Sequence, residues 1–167
     1  EKEKLWKLWL RELSIKDGVT SEEMAQEMQH HYILYVHQHK KKYRDFINLI
    51  AFGEIPLVFH CFAGKDRTGF GALLFLGLLG VKKEIIIEDY LLTNKFFKGP
   101  IVNEEWRDTA SEKLKPLFEA RVDYINAAFK EIYSTHETIE DFVIEELKLN
   151  SDTCLLYTSP SPRDYPG

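Results

Sequence analysis

The chain has 167 residues, 44% of them hydrophobic and 29% charged, with a formal net charge of −5. That length and balance suit one domain with a substantial core and exclude a disordered chain. The acidic total argues against a general nucleic-acid binder, and no apolar run approaches a membrane span, residues 72–79 being far too few.

Residues 1–13 read as a helix, with Leu5, Trp6, Trp9 and Leu13 on one side, and "KDGVT" then makes a turn. Thr20 followed by Glu23 is a capping-box signature. The helix it opens is expected to run to about His39, with Met24, Met28, Tyr32 and Tyr35 near helical spacing. A second helical stretch, from Lys42 to about Phe52, presents Tyr43, Phe46, Ile47 and Ile50. Both stripes read as core packing.

The run "IPLVFH" is different. It is short, continuously apolar, partly β-branched and bounded by Pro56, which predicts a buried strand. From Thr68 to Leu79 the chain is apolar nearly all round, as a helix buried on most sides would be, and Gly80 is its C-cap. "KKEIIIEDYLLTNKFF" predicts the next helix from near Lys82. The polar stretch 98–112, with Pro100 and Trp106, reads as a loop or flap, and helices are expected near 117–133 and 138–147. No internal repeat is visible. A fully buried strand needs neighbours on both edges, so the expected class is α/β, with sheet strands preceding Glu1 and missing here.

The far end reads as foreign to the domain. "CLLYTSPSPRD", from Cys154 to Asp164, is similar to the translation of a transposon sequencing adapter, and all eleven residues agree. Residues 154–167 are therefore set apart, which leaves a partial domain over 1–153. Without Cys154 a disulfide to Cys61 has no basis, and the lone Cys61 fits a reducing, cytoplasmic compartment. A secretion signal would lie before Glu1, outside the sequence.

Cys61 and Arg67 bracket five residues between the expected strand and the buried helix. Such an order places backbone N–H groups at a helix N-terminus, where the dipole favours negative charge and successive amides cradle an oxyanion. Gly64 supplies the unusual backbone angles of a tight cradle, and Gly69 permits close approach of the helix to a neighbour. Arg67 offers a fixed fork of donors to two phosphate oxygens. In the same field a thiol drops from ~8.5 to between ~3.5 and ~7.5, making Cys61 a thiolate nucleophile, with the Thr68 hydroxyl donating to the sulfur. His60 is placed to orient the loop. Among His30, His31, His37 and His39 no second ligand pair is evident, so they read as a solvated helix face. Lys40, Lys41 and Lys42 read the same way, with an acidic lipid headgroup as a minor partner.

"HCFAGKDRTG" resembles the H-C-x5-R-[ST]-G signature of the cysteine-dependent protein tyrosine phosphatase superfamily. "AGKDRTG" is similar to its atypical bacterial and fungal branch of tyrosine and lipid phosphatases. "LGLLGV", "IIIEDYLLTN", "ARVDYINAAFKEI" and "TIEDFVIEEL" extend the likeness over most of 32–149. The resemblance implies a tyrosine-phosphatase-like fold, a central sheet flanked by helices, here cut short at both ends. It also implies hydrolysis of phosphate monoesters through a cysteinyl phosphate on Cys61, with no cofactor or metal. Asp66 is the implied proton donor. Phosphate binding falls to Phe62, Ala63, Gly64, Lys65, Asp66 and Arg67, with His60 and Gly69 in support. The implied substrates are phosphoproteins, phosphotyrosine first and phosphoserine or phosphothreonine after it, or phosphoinositides. The rival reading is a catalytically silent phosphate-recognition module. Asp89 and Tyr90 match the family's "DY" and read as packing and hydrogen bonding, while Arg121 is open between reaching phosphate and supporting the loop.

Overall fold

Thr20 caps the first described helix through both halves of a capping box: the Glu23 amide donates to its Oγ1 at 3.1 Å, and its own amide donates to Glu23 Oε2 at 2.8 Å. The structure, a computed structural model, describes residues 18–52, 56–96 and 111–150. In chain order these form α1 Ser21–His37, α2 Lys40–Phe52, α3 Asp66–Leu78, α4 Lys83–Leu91, α5 Thr93–Phe96, α6 Ser111–Phe118, α7 Val122–Tyr133 and α8 Ile139–Glu145. The expected helix over 1–13, nearly all of the expected loop over 98–112 and the tail from 154 lie outside the described residues. None of the described helices is long and apolar enough to cross a membrane.

The expected α/β class, with a central sheet flanked by helices, is not what forms. Neither strand nor bridge occurs among the described residues. The run from Pro56 to His60 has no ladder partner among the described residues, and a strand is made by pairing, not by local shape. Nor is it buried: Val58 is 86% exposed. Phe59 anchors it, its ring packing on Phe46 of α2 at 4.7 Å.

Instead the helices pack directly on one another. Helix α3 runs through the middle with Phe70, Leu73, Leu74 and Leu78 buried. Around it gather Tyr32 and Val36 of α1, Ile47 of α2, Ile125, Ala128, Phe129 and Ile132 of α7, and Phe142 and Val143 of α8, in one apolar cluster. Helix α1 lies chiefly against α6 and α7. The end of α3 is as the sequence predicts: Gly80 adopts a left-handed φ of 74°. That lets the Val81 amide reach Leu76 O at 3.0 Å and the Gly80 amide reach Gly77 O at 3.0 Å, closing the last turn.

Two expected helices are each divided. The one from Lys82 is interrupted at Leu92, giving α4 and α5. The one expected over 117–133 is really α6 and α7, separated at 119–121. The second break is held by distant side chains. Asn94 donates to Ala120 O and accepts from the Ala120 amide, both at 2.7 Å, so its amide replaces lost helical partners. Tyr124 donates to Pro116 O at 3.0 Å, and Lys65 takes the Leu117 and Glu119 carbonyls at 2.9 and 3.0 Å. The carbonyls that end α6 are thus satisfied by tertiary contacts.

Helices α3 and α8 meet where Gly77 has no side chain. A Cβ there would stand 2.8 Å from Cγ1 and 2.9 Å from Cβ of Ile139. Gly77→Ala is therefore expected to destabilise the protein by about 1–3 kcal/mol through overpacking, although alanine is the better helix former by about 1 kcal/mol. A lowered midpoint in urea unfolding checks this; an unchanged one would mean that α8 shifts without cost.

Candidate active site

The loop between the extended segment and α3 turns on Gly64, whose φ of 68° lies in the left-handed region that a β-carbon disfavours. After that turn α3 starts at Asp66, and its first internal bond is the Gly69 amide to Lys65 O at 2.7 Å. The amides of Asp66, Arg67 and Thr68 precede that bond, as orphan donors at the positive end of the helix dipole.

Cys61 sits half-buried in front of these donors. Burial pushes its thiol up. Hydrogen bonds from the Thr68 hydroxyl and from the backbone amides of Thr68, Gly64 and Lys65 outweigh that and bring it from 9.0 down to about 7. Thr68 also closes the loop, since its Oγ1 accepts from the Cys61 amide at 2.8 Å. His60 Nδ1 lies 2.8 Å from the Cys61 carbonyl, which requires the proton on Nδ1 and steadies the loop from its other side. Arg67 is exposed, and its side chain makes no hydrogen bond or ion pair among the described residues.

Phe62, next to Cys61 in the loop, is 70% exposed. A cleft of about 280 Å³ opens over Cys61, Arg67 and Thr68. Its walls are Tyr43 and Phe46 of α2 with Phe59 and His60, and His39 and Lys42 stand at its edge. Gly71 completes the lining and keeps Phe46 close, 3.4 Å from where a Cβ would lie. The sequence stripe on α2 read as core; the structure turns part of it to the cleft.

The Lys65 side chain turns away from the cleft and takes Asp66 Oδ1 as one of its partners. The Lys65 side chain is 1% exposed, and its Nζ reaches Leu117 O, Glu119 O and, at 3.1 Å, Asp66 Oδ1. Those are three acceptors for the three protons of an ammonium. Burial lowers the Lys65 pKa, and the neighbouring Asp66 carboxylate works against that. Asp66 Oδ1 also accepts from the Tyr32 hydroxyl at 3.1 Å, and Tyr32 meets the Tyr90 hydroxyl at 2.7 Å. Gly69 makes room for this group, because a Cβ there would stand 2.8 Å from Tyr90 Cδ2.

Cys61, Gly64, Lys65 and Thr68 are thus brought together at one sulfur, while the Lys65 ammonium is committed elsewhere. Arg121 pairs with Asp123 at 3.2 Å and covers the Tyr124 ring at 5.4 Å. Of the histidines, His31 contacts Glu27 and His37 contacts Glu131 on the surface, and Lys40 pairs with Glu146. No cluster of His, Cys, Asp or Glu able to hold a metal ion occurs among the described residues. Sequence reasoning passed over Tyr32, which reads as one more apolar helix position. The only signal for its partner is the "DY" at Asp89 and Tyr90.

A structural class follows from this order: an anion cradle at a helix start, built around an activated cysteine and followed by an arginine. The sequence model of the tyrosine phosphatase family matches residues 9–155, and the chain belongs to that family. Over 104 residues, 60% of the chain, it is 34% identical to a Cupriavidus necator protein assigned by name to the tyrosine-protein phosphatases. It is 48% identical over 48 residues, 29% of the chain, to the triple specificity protein phosphatase PtpB of Mycobacterium tuberculosis. To a tyrosine-protein phosphatase of Nostoc commune it is 36% identical over 72 residues, 42% of the chain. The matched segments span 38%, 17% and 24% of those relatives' lengths.

The donors around the sulfur set a testable pH dependence. Cys61 becomes the reactive thiolate as pH rises through about 7, so its alkylation by iodoacetamide should show that midpoint. Thr68→Val removes one hydrogen bond to a charged group, worth about 1.5–3 kcal/mol, and should move the midpoint up by about one to two units. A midpoint that stays in place would remove Thr68 from the account.

Proposed function

We propose that the protein hydrolyses phosphate monoesters, phosphotyrosine foremost, through a covalent phosphate on Cys61. The observation that carries this reading is the thiol drawn down to about 7 by the Thr68 hydroxyl and the amides of Gly64, Lys65 and Thr68. Family membership adds the expectation of a phosphorylated substrate.

The phosphoryl group enters the cradle with its oxygens on the amides of residues 62–67 and on the Arg67 guanidinium. Fixed donors of this kind favour the spread negative charge of the transferring group, and positioning supplies most of the rest. The Cys61 sulfur forms a bond to phosphorus as the bond to the leaving oxygen breaks. Asp66, protonated at that moment, gives its proton to the leaving oxygen. Water then attacks phosphorus, its proton passes to the Asp66 carboxylate, and the sulfur leaves as a thiolate steadied by Thr68. Lys65 contributes its backbone amide to the cradle and its buried ammonium to Asp66. His60 and Gly69 keep loop and helix in place.

The aromatic walls of the cleft, Tyr43, Phe46 and Phe59, favour an aryl ester over a bare alkyl one. His39 and Lys42 at the edge suit a further acidic group on a phosphopeptide or on a phosphoinositide headgroup. A silent phosphate-recognition module is the alternative, but an activated sulfur adds nothing to binding alone.

The full chain is expected to release phosphate from phenyl phosphate without added metal. Cys61→Ser should lower turnover by a thousandfold or more, roughly, while vanadate still binds. Appreciable turnover in that variant would exclude the covalent route and leave the binding module. Asp66→Asn should slow phenyl phosphate by about 10²–10⁴-fold and the activated 2,4-dinitrophenyl ester far less. Equal slowing of both esters would remove Asp66 as the acid.

A further inference from the structure

Tyr32 lies at the centre of the helix cluster with 0% exposure, its ring 5.4 Å from that of Tyr35 and 6.0 Å from those of Tyr90 and Tyr124. Phenylalanine would fill that space equally well, and a buried hydroxyl is costly unless partnered. The Tyr32 hydroxyl has two partners, Asp66 Oδ1 at 3.1 Å and the Tyr90 hydroxyl at 2.7 Å. A carboxylate only accepts, so the single Tyr32 proton goes to Asp66 and Tyr90 donates to the Tyr32 oxygen. Burial holds both phenols well above their ordinary pKa, so they act as neutral donors.

Both anchors of Asp66, Tyr32 Oη and Lys65 Nζ, fall on Oδ1. Oδ2 has no partner among the described residues, and the side chain keeps 20% exposure. One oxygen is therefore clamped from inside and the other is left for the outside. The clamp is built into the phosphate loop itself. Gly69 is the position where any β-carbon would strike Tyr90, and the next residue it would meet is Tyr32, whose hydroxyl lies at 4.0 Å.

We infer that Tyr32, held by Tyr90, is a positioning residue that orients Asp66 so that Oδ2 carries the proton to the leaving group. The inference rests on the phosphatase reading above and deepens it. In the first step the Oδ2 proton goes to the leaving oxygen as its bond to phosphorus breaks, and the resulting carboxylate keeps the Tyr32 and Lys65 hydrogen bonds on Oδ1. In the second step a proton from water returns to Oδ2. Tyr32 and Tyr90 neither gain nor lose a proton.

The test compares phenyl phosphate with 2,4-dinitrophenyl phosphate on the full chain, since only the first needs a proton donor. Tyr32→Phe should lower kcat on phenyl phosphate about tenfold more than on the dinitrophenyl ester, with KM shifted less than about twofold on either. Tyr90→Phe should show the same discrimination at smaller size. In an Asp66→Asn background Tyr32→Phe should add no further discrimination. A purely packing role for Tyr32 would slow both esters equally, and that result, or an undiminished effect without Asp66, overturns the inference. Should Tyr32→Phe lose its cooperative thermal transition, Tyr90→Phe decides by the same ratio. A wild-type chain without turnover overturns the phosphatase reading and this inference together. An active wild type with equal slowing in both variants overturns the inference alone.

Discussion

The first turn of α3 is the constraint on which the site depends. A helix cannot satisfy its own leading amides, so something electronegative must stand before them. Here that is the Cys61 sulfur, held also by the Thr68 hydroxyl and half out of water. Burial alone would keep the thiol protonated; the donors reverse the sign. Because α3 is packed on nearly every side, with Phe70, Leu73 and Leu74 fully buried, those donors cannot drift from the sulfur without disturbing the core.

Lys65 ties this turn to the second half of the chain. A buried ammonium is tolerated only with its protons placed, and Leu117 O, Glu119 O and Asp66 Oδ1 place them. Two of those acceptors are carbonyls released by the break between α6 and α7. The break therefore serves the loop and the loop stabilises the break. Asp66 is held in the same arrangement, with Tyr32 of α1 on its other side. One short segment thus draws on α1, on the α6–α7 connection and, through Tyr90, on α4.

Several features were legible because their causes are local. The Thr20 capping box needs only Thr20 and Glu23, and the left-handed stop at Gly80 needs only a residue without a β-carbon. The loop from Cys61 to Thr68 was legible for a similar reason: its donors and its sulfur are near neighbours in the chain. The Pro56–His60 run misled because an apolar, β-branched composition says what a strand would be made of, not whether a partner is present. Phe59 settled against Phe46, and Val58 was left at 86% exposure. The continuous helix expected over 117–133 misled in the opposite direction. Its sequence suits a helix throughout, but Asn94 and Lys65, distant in the chain, take the backbone groups that would have carried it through.

The amino-acid order by itself determined the caps, most of the helices and the juxtaposition of cysteine, glycine turn, arginine and threonine, since each follows from contacts within a few residues. Only the tertiary structure decided that the described elements pack helix on helix, that the Lys65 ammonium turns inward and that Tyr32 and Tyr90 meet at Asp66. Those outcomes depend on groups brought together from chain positions dozens of residues apart, whose pairing no local pattern encodes.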